Sequence, residues 1–337
     1  MKSSRFLTLL ATIAVFILLY VVSWARFPTF GSTVVLANAL YGNAFLGITA
    51  VGMTFVILSG GIDLSVGSVI AFIGVFIALM LRDTQVHPLI VFAMALAMGT
   101  AFGAIMGAII YYFSIPPFIV TLAGLYLARG AIFLFTTESV GITNPFYDQV
   151  INIAIKFPDG GRLSLLAIIF LIVLVGGIFI AHYTEFGRNI YALGGDSNAA
   201  LMLGVPIART TIGVYALSGF LAALSGIVYS LYTSSGYPLA TVGVELDAIA
   251  AVVIGGTLLT GGVGYVAGTL IGILINGTIQ TYISFDGSLN GWWTKIVIGV
   301  LLFIFVALQK LITSRRGQAL LSFGRKTRTT VTTLQTP

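Results

Sequence analysis

The sequence has 337 residues, of which 58% are hydrophobic and only 8% charged, where a soluble domain averages roughly 25% charged. A water-soluble fold of this make-up would lack the polar surface to cover itself, and with no cysteine the chain holds neither a disulfide framework nor a thiol-ligated metal. The formal charge of +6 does not point to nucleic acid, because the basic residues are scattered and cluster only at Lys310, Arg315, Arg316, Arg325, Lys326 and Arg328, as they do at a cytoplasmic end.

The expected fold is therefore all-α, a polytopic membrane helix bundle. A helix needs about 20 apolar residues to cross the hydrocarbon core, and ten runs meet that need, at approximately 6–25, 34–58, 65–82, 88–113, 117–136, 163–182, 210–232, 247–261, 264–284 and 292–312. The first follows Lys2 and Arg5 like a leader, but its length and the poor cleavage site at Ser23-Trp24-Ala25 favour a retained helix. Ten crossings from a cytoplasmic N-terminus return the C-terminus to the cytoplasm, with 313–337 as a basic tail. That topology puts ten Lys and Arg inside and five outside, with Arg129 left within a span, in keeping with the positive-inside rule. Residues 137–162 form the main external loop, facing an extracytoplasmic partner, and 183–209 the main cytoplasmic one. The whole chain, 1–337, reads as a single transmembrane domain.

Glycines recur every fourth position at 99, 103 and 107 and at 264, 268 and 272, a spacing that lets helices approach closely within one subunit. More informative is an internal echo. Gly60-Gly61-Ile62-Asp63-Leu64-Ser65-Val66-Gly67 and Gly255-Gly256-Thr257-Leu258-Leu259-Thr260-Gly261-Gly262 share the form G-G-x-x-L-S/T-x-G. Paired glycines interrupt a helix, and matching interruptions in two halves point to a translocation path; simple turns between hairpin helices would read the same way.

Charges near the apolar core are costly unless paired or hydrated, which singles out Asp63, Arg129, Glu245 and Asp247. Arg129 is expected to pair with an acid inside the bundle, Asp63 being one option, while Glu245 and Asp247 cap the start of the short 247–261 segment. The aromatics Tyr282, Phe285, Trp292 and Trp293 read as a membrane-interface belt. In the cytoplasmic loop, Asp196, Ser197 or Asn198 can N-cap a short helix ended by Gly204 and Pro206. Its alanines, Ala199 and Ala200, and Leu203 leave a small apolar face suited to another protein's groove.

These motifs, with Gly52 to Ser68, Pro116 to Leu122, Arg129-Gly130, the loop from Phe186 to Val205, and Glu245 to Gly256, resemble the permeases of ribose and related carbohydrate ABC importers. Ser284-Phe285-Asp286-Gly287 and Trp292-Trp293-Thr294-Lys295 extend the resemblance to the permeases of bacterial galactofuranose importers. The resemblance implies the type II importer fold, about ten helices per permease, in the bacterial inner membrane. It implies that Gly194, Gly195, Asn198, Ala199, Ala200, Leu203 and Gly204 belong to the loop that couples to the ATPase. Gly60, Gly61, Asp63, Ser65, Gly67, Arg129, Glu245, Asp247, Gly255 and Gly256 carry over as translocation motifs. The expected partners are a second permease, in a homo- or heterodimer, a cytoplasmic ATP-binding subunit, a periplasmic sugar-binding protein and membrane lipid. The sequence contains no G-x-x-x-x-G-K-S/T loop and no nucleophile-base constellation, so the expected subunit is non-catalytic and binds no cofactor itself, with ATP and Mg on the partner. The alternative is a secondary sugar transporter driven by an ion gradient.

Overall fold

The computed structural model describes residues 2–313, so the expected basic tail lies, beyond Thr313, outside the described residues. The chain opens with α1 (Lys2–Arg26), a short 3-10 turn (Pro28–Gly31), α2 (Thr33–Gly42) and α3 (Ala44–Leu58). Next come α4 (Val66–Asp83), α5 (Pro88–Tyr112) and α6 (Pro117–Phe133). A folded loop of β1 (Val140–Gly141), α7 (Pro145–Ile151), β2 (Ala154–Lys156) and β3 (Arg162–Ser164) leads to α8 (Leu165–Tyr183), α9 (Glu185–Gly195) and α10 (Ser197–Met202). The last part comprises α11 (Ile207–Thr233), β4 (Ser235–Gly236), α12 (Val244–Ile254), α13 (Val266–Asp286) and α14 (Trp292–Thr313). Among the described residues six helices are long and apolar enough to cross a membrane, namely α4, α5, α8, α11, α13 and α14.

Local chemistry starts these helices. Pro opens α5 and α6, where its missing N–H costs nothing, and the hydroxyls of Ser164 and Thr184 accept backbone N–H bonds at the starts of α8 and α9. Apolar side chains gain little by leaving lipid for protein, so the bundle is held by close packing. At its centre every residue of α3 except Phe45 is buried. The long helix α11 packs on α5, α3 and α4, and a methyl at Gly99 would lie 2.5 Å from the Gly219 carbonyl oxygen. Gly103 and Gly107 meet the same helix at Tyr215 and Ile212, while Gly268 and Gly272 meet α12 at Gly255 and Ala251. The glycine stripes thus serve packing within the chain.

Of the ten expected spans, six match the six long apolar helices, 6–25 and 117–136 correspond to the shorter apolar helices Leu10–Arg26 and Pro117–Phe133, and the other two take a different form. The run 34–58 is two helices bent by 60° at Asn43, whose side chain donates to the Ala39 carbonyl and to Gln280 Oε1. The run 247–261 is not a span, because α12 ends at Ile254. Its 11 residues extend only about 16 Å, half the hydrocarbon thickness. The loop after α6 folds back on the bundle: β1 pairs antiparallel with β4, and buried Tyr147 shares a 2.9 Å hydrogen bond with Ser230 of α11.

Candidate coupling and translocation site

The two glycine breaks and the end of α9 meet at one point. The Gly262 amide donates to the Leu58 carbonyl at 2.9 Å, so the turn after α12 is bonded directly to the last residue of α3. Gly194 lies in the same contact: a methyl there would fall 2.7 Å from the Gly262 nitrogen and closer still to the Leu58 oxygen. A methyl on Gly261 would lie 2.9 Å from both the Gly194 oxygen and the Gly60 α-carbon. Gly60, Gly261 and Gly262 hold φ values of +86°, +83° and +69°, which side-chain-bearing residues rarely adopt. Three chain segments therefore touch backbone to backbone, with no side chain between them to absorb a displacement.

Each break frees backbone groups that must find partners inside an apolar bundle. The carbonyl of Ile254 at the end of α12 accepts from Thr12 Oγ1 of α1 at 2.6 Å, and Val253 and Thr257 carbonyls accept from Gln309 Nε2 of α14 at 3.2 and 3.3 Å. Thr121 of α6 donates to the Ile62 carbonyl at 3.3 Å. Three buried hydroxyls have no partner among the described residues, those of Ser68, Tyr215 and Thr257. All three stand at the breaks. Tyr215 Oη lies over Gly61, Thr257 Oγ1 over Gly264, and Ser68 beside Gly67.

Asp63, fully buried, does not pair with Arg129. Its Oδ1 accepts from the Ser65 amide at 3.0 Å and the Ser65 hydroxyl at 2.7 Å, and its Oδ2 accepts from Ser218 Oγ of α11 at 2.7 Å. Arg129 Nη1 instead donates to the carbonyls of Pro238 and Ala240, at 2.6 and 2.9 Å. A guanidinium needs oxygens, not a carboxylate as such, and the irregular segment between β4 and α12 offers two. Glu245 lies within electrostatic reach of Arg129 and accepts from the Gly243 amide, while its other oxygen crowds Gly67. Glu245 and Asp247 lie in the first turn of α12 rather than before it, and Asp247 is paired with Lys295 of α14.

In α10 the N-cap is Asp196, whose carboxylate accepts from the Asn198 and Ala199 amides, both at 3.0 Å. Gly204, at φ +79°, ends the helix. Of the expected face, Ala199 and Leu203 are exposed and Ala200 is not. Ala200 is 2% exposed and turned toward the protein, whereas Leu201, Met202 and Leu203 are 64%, 90% and 81% exposed. Asn198 and Ala199 are exposed as well.

A family model described as the permease component of branched-chain amino acid transport systems matches residues 35–306. A relative in Escherichia coli K12, the inner membrane ABC transporter permease protein YjfF, is 58% identical over 92% of this chain and 93% of its own. The chain belongs to the ribose and carbohydrate ABC importer permease family. The fructose import permease FruG of Bifidobacterium longum is 38% identical over 91% of this permease and 92% of its own length. The ribose import permease RbsC of E. coli K12 is 38% identical over 87% and 91%. No solved structure matches the permease.

The structure gathers Gly60, Gly61, Gly194 and Gly195 at the junction with Gly261 and Gly262. It sets Gly67, Arg129 and Glu245 some turns away, around the segment before α12. Gly255 stands between them, packed on Gly268 of α13, and Gly256, at φ +94°, begins the turn. The sequence reading did not find Ser218, Tyr215, Thr12 or Gln309, which look like ordinary polar residues of apolar helices until the breaks they face are known. Leu201 and Met202 were legible as bulky apolar residues in a polar loop.

Proposed function

We propose that this permease passes a monosaccharide, galactofuranose or a related sugar, across the bacterial inner membrane as the non-catalytic subunit of an ATP-driven importer. The observation that carries the reading is the backbone junction of Gly194 with Leu58 and Gly262, which joins the loop bearing α10 to both glycine breaks. In this reading both termini are cytoplasmic, Leu201, Met202 and Leu203 seat in the ATP-binding subunit, and a periplasmic binding protein delivers the sugar. ATP-driven movement of that subunit pushes α9 against the ends of α3 and α12, and the breaks let the helices re-seat in alternating access. The unpartnered hydroxyls at the breaks favour the same reading, since groups left unpaired in one arrangement are free to pair in another. The sugar class is supported by the names of FruG and RbsC, which align over most of their length, against the amino-acid wording of the broader family. Galactofuranose rests on the stretches 284–287 and 292–295.

The test is purification of the tagged permease from its host in mild detergent, with wild type compared with Met202→Glu. An ATPase that accompanies the wild type and is lost from the variant, while membrane insertion is unchanged, is the expected result. Absence of any ATPase, together with uptake that survives ATP depletion and collapses with an uncoupler, would overturn it in favour of an ion-driven transporter. Competition among galactofuranose, ribose and fructose in uptake then decides the sugar.

A further inference from the structure

The bend between α2 and α3 gathers two kinds of side chain. Toward α11, Tyr41 meets Tyr232 edge to face with ring centroids 5.1 Å apart, and Phe45 meets Tyr229 in the same way at 5.0 Å. The Tyr41 and Tyr229 hydroxyls are both within electrostatic reach of Tyr232, yet none of the three phenols makes a hydrogen bond among the described residues. Toward α13, the Asn43 amide donates to Gln280 Oε1 at 3.4 Å, and Gln280 Nε2 donates to Asn276 Oδ1 at 2.8 Å. Tyr41, Gly42 and Asn43 are consecutive, about 3.8 Å apart at their α-carbons, so rings and amides stand within the width of one small molecule. Gly42 leaves the space beside them open: a methyl there would meet only the Tyr232 hydroxyl, at 3.9 Å.

A clamp that only fixed the bend would be buried, and a belt of aromatics would face lipid. Asn43 and Asn276 are each 4% exposed, but Gln280 is exposed and Tyr232 is 41% exposed. Gln280 lies about 9 Å inside the end of α13 at Asp286, on a helix apolar enough to cross a membrane. A carboxamide on such a helix faces protein or water, because lipid offers it no hydrogen bond. The open patch thus combines free phenols, ring faces and amides. Such groups suit a monosaccharide, whose C–H face stacks on rings while its hydroxyls both donate and accept.

We propose that Tyr41, Asn43, Tyr232 and Gln280 form a sugar-contact station in the translocation path. This rests on the importer reading above. The course of α3 fits that role: it starts beside Asn43, is buried along its length except at Phe45, and ends at Leu58, whose carbonyl the Gly262 amide holds at the junction. Its 15 residues span about 22 Å, so one helix links the station to the point where α9 pushes. Movement of Leu58 shifts Asn43 against Gln280, and the sugar loses its amide contacts as it is carried inward.

The chain has no cysteine, so Gln280→Cys and Tyr232→Cys can each report on the station in the importer reconstituted in proteoliposomes. A charged, membrane-impermeant maleimide is added outside, and labelling is read on the permease chain. Ile172→Cys, exposed on α8, and Ser284→Cys, one turn nearer the end of α13, serve as references. ATP is enclosed in the vesicles, and the binding protein is supplied either without sugar or with galactofuranose, ribose or fructose. Positions 280 and 232 are expected to be labelled and position 172 not. The sugar that is taken up is expected to slow labelling at 280 and 232 by about twofold or more, the factor that half-occupancy gives, with Ser284→Cys unchanged. No labelling at either position would overturn the station, as would labelling that sugar leaves unchanged or equal slowing at Ser284→Cys. Uptake in the same vesicles reports separately on the importer reading. ATP-driven uptake by the wild type without protection removes the station alone; no ATP-driven uptake of any of the three sugars removes both.

Discussion

Replacing Gly194 with alanine tests the backbone junction against a neighbour that serves as its control. The added methyl would sit 2.7 Å from the Gly262 nitrogen and nearer to the Leu58 oxygen, and neither atom belongs to a side chain that can swing away. Relief requires α9 to withdraw or the Gly262 to Leu58 bond of 2.9 Å to open. Leaving such a buried pair unmade costs about 1–3 kcal/mol, and forcing volume into a packed site costs about 1–3 kcal/mol more. Alanine returns up to about 1 kcal/mol over glycine near a helix end, for a net loss of about 1–6 kcal/mol, centred near about 3 kcal/mol. Gly195 is the next residue, has an ordinary φ, and has nothing within 4 Å of an added methyl, so Gly195→Ala is neutral or slightly stabilising. In thermal unfolding of the detergent-solubilised permease, Gly194→Ala is expected to melt roughly 4–8 °C below Gly195→Ala. Equal melting temperatures for the two variants would refute the junction.

Asp63 and Ser218 are expected to be coupled: in a double-mutant cycle of Asp63→Ala and Ser218→Ala, unfolding should show an interaction energy of about 1 kcal/mol or more, and simple additivity would deny the bond. Arg129→Met strips donors from two half-buried carbonyls and should lower stability by about 1–3 kcal/mol, with Arg129→Lys between it and wild type; equal melting of Arg129→Met and wild type contradicts the clasp. At the tip of the β2–β3 hairpin, hydrogen bonds from the Thr33 hydroxyl and amide hold the Asp159 carboxyl below the usual carboxylate range. The sign follows from linkage: a depressed folded pKa adds stability that is present above the unfolded pKa, about 3.9, and is lost as pH falls through the folded value. A spin label at Lys156→Cys should therefore gain mobility only as pH falls below the usual carboxylate range, and the same label on an Asp159→Ala background should be mobile throughout; a label equally immobile at all pH values removes the tether.

The apolar runs coincide with helices because hydropathy over twenty residues is a property of the sequence itself. What the runs did not show is where a helix stops inside apolar chain. Leu258 and Leu259 kept the run after α12 apolar past Ile254, although Gly255 and Gly256 mark the stop. Asn43 was visible as a lone polar residue in the run 34–58, yet its partner Gln280 lies 237 positions away, so the bend is a tertiary fact. The Arg129 expectation failed for a chemical reason: a buried cation was assumed to need an acid, whereas unpaired carbonyls met its donors. Ala200 was misplaced because a helix of six residues has too few turns to declare which face is covered.

The breaks are energetically unfavourable in themselves, and the structure shows how the cost is spread. Freed carbonyls at the end of α12 are bonded by α1 and α14, which lie at opposite ends of the sequence, so the second break is stable only once the whole bundle has closed. The first break is tied to α11 through Asp63 and Ser218, and α11 is the helix that follows α10 directly. If the ATP-binding subunit pushes on α10 as proposed, the push has two contacts through which to reach the first break, Gly194 at the junction and α11 through Ser218. It reaches the second break through Gly194 and Gly262. If the junction alone transmitted the push, Ser218→Ala would leave coupling intact and lower only stability. If both routes act, Ser218→Ala should uncouple ATP hydrolysis from uptake, with ATPase activity kept and sugar accumulation reduced, in protein that is still folded at the assay temperature.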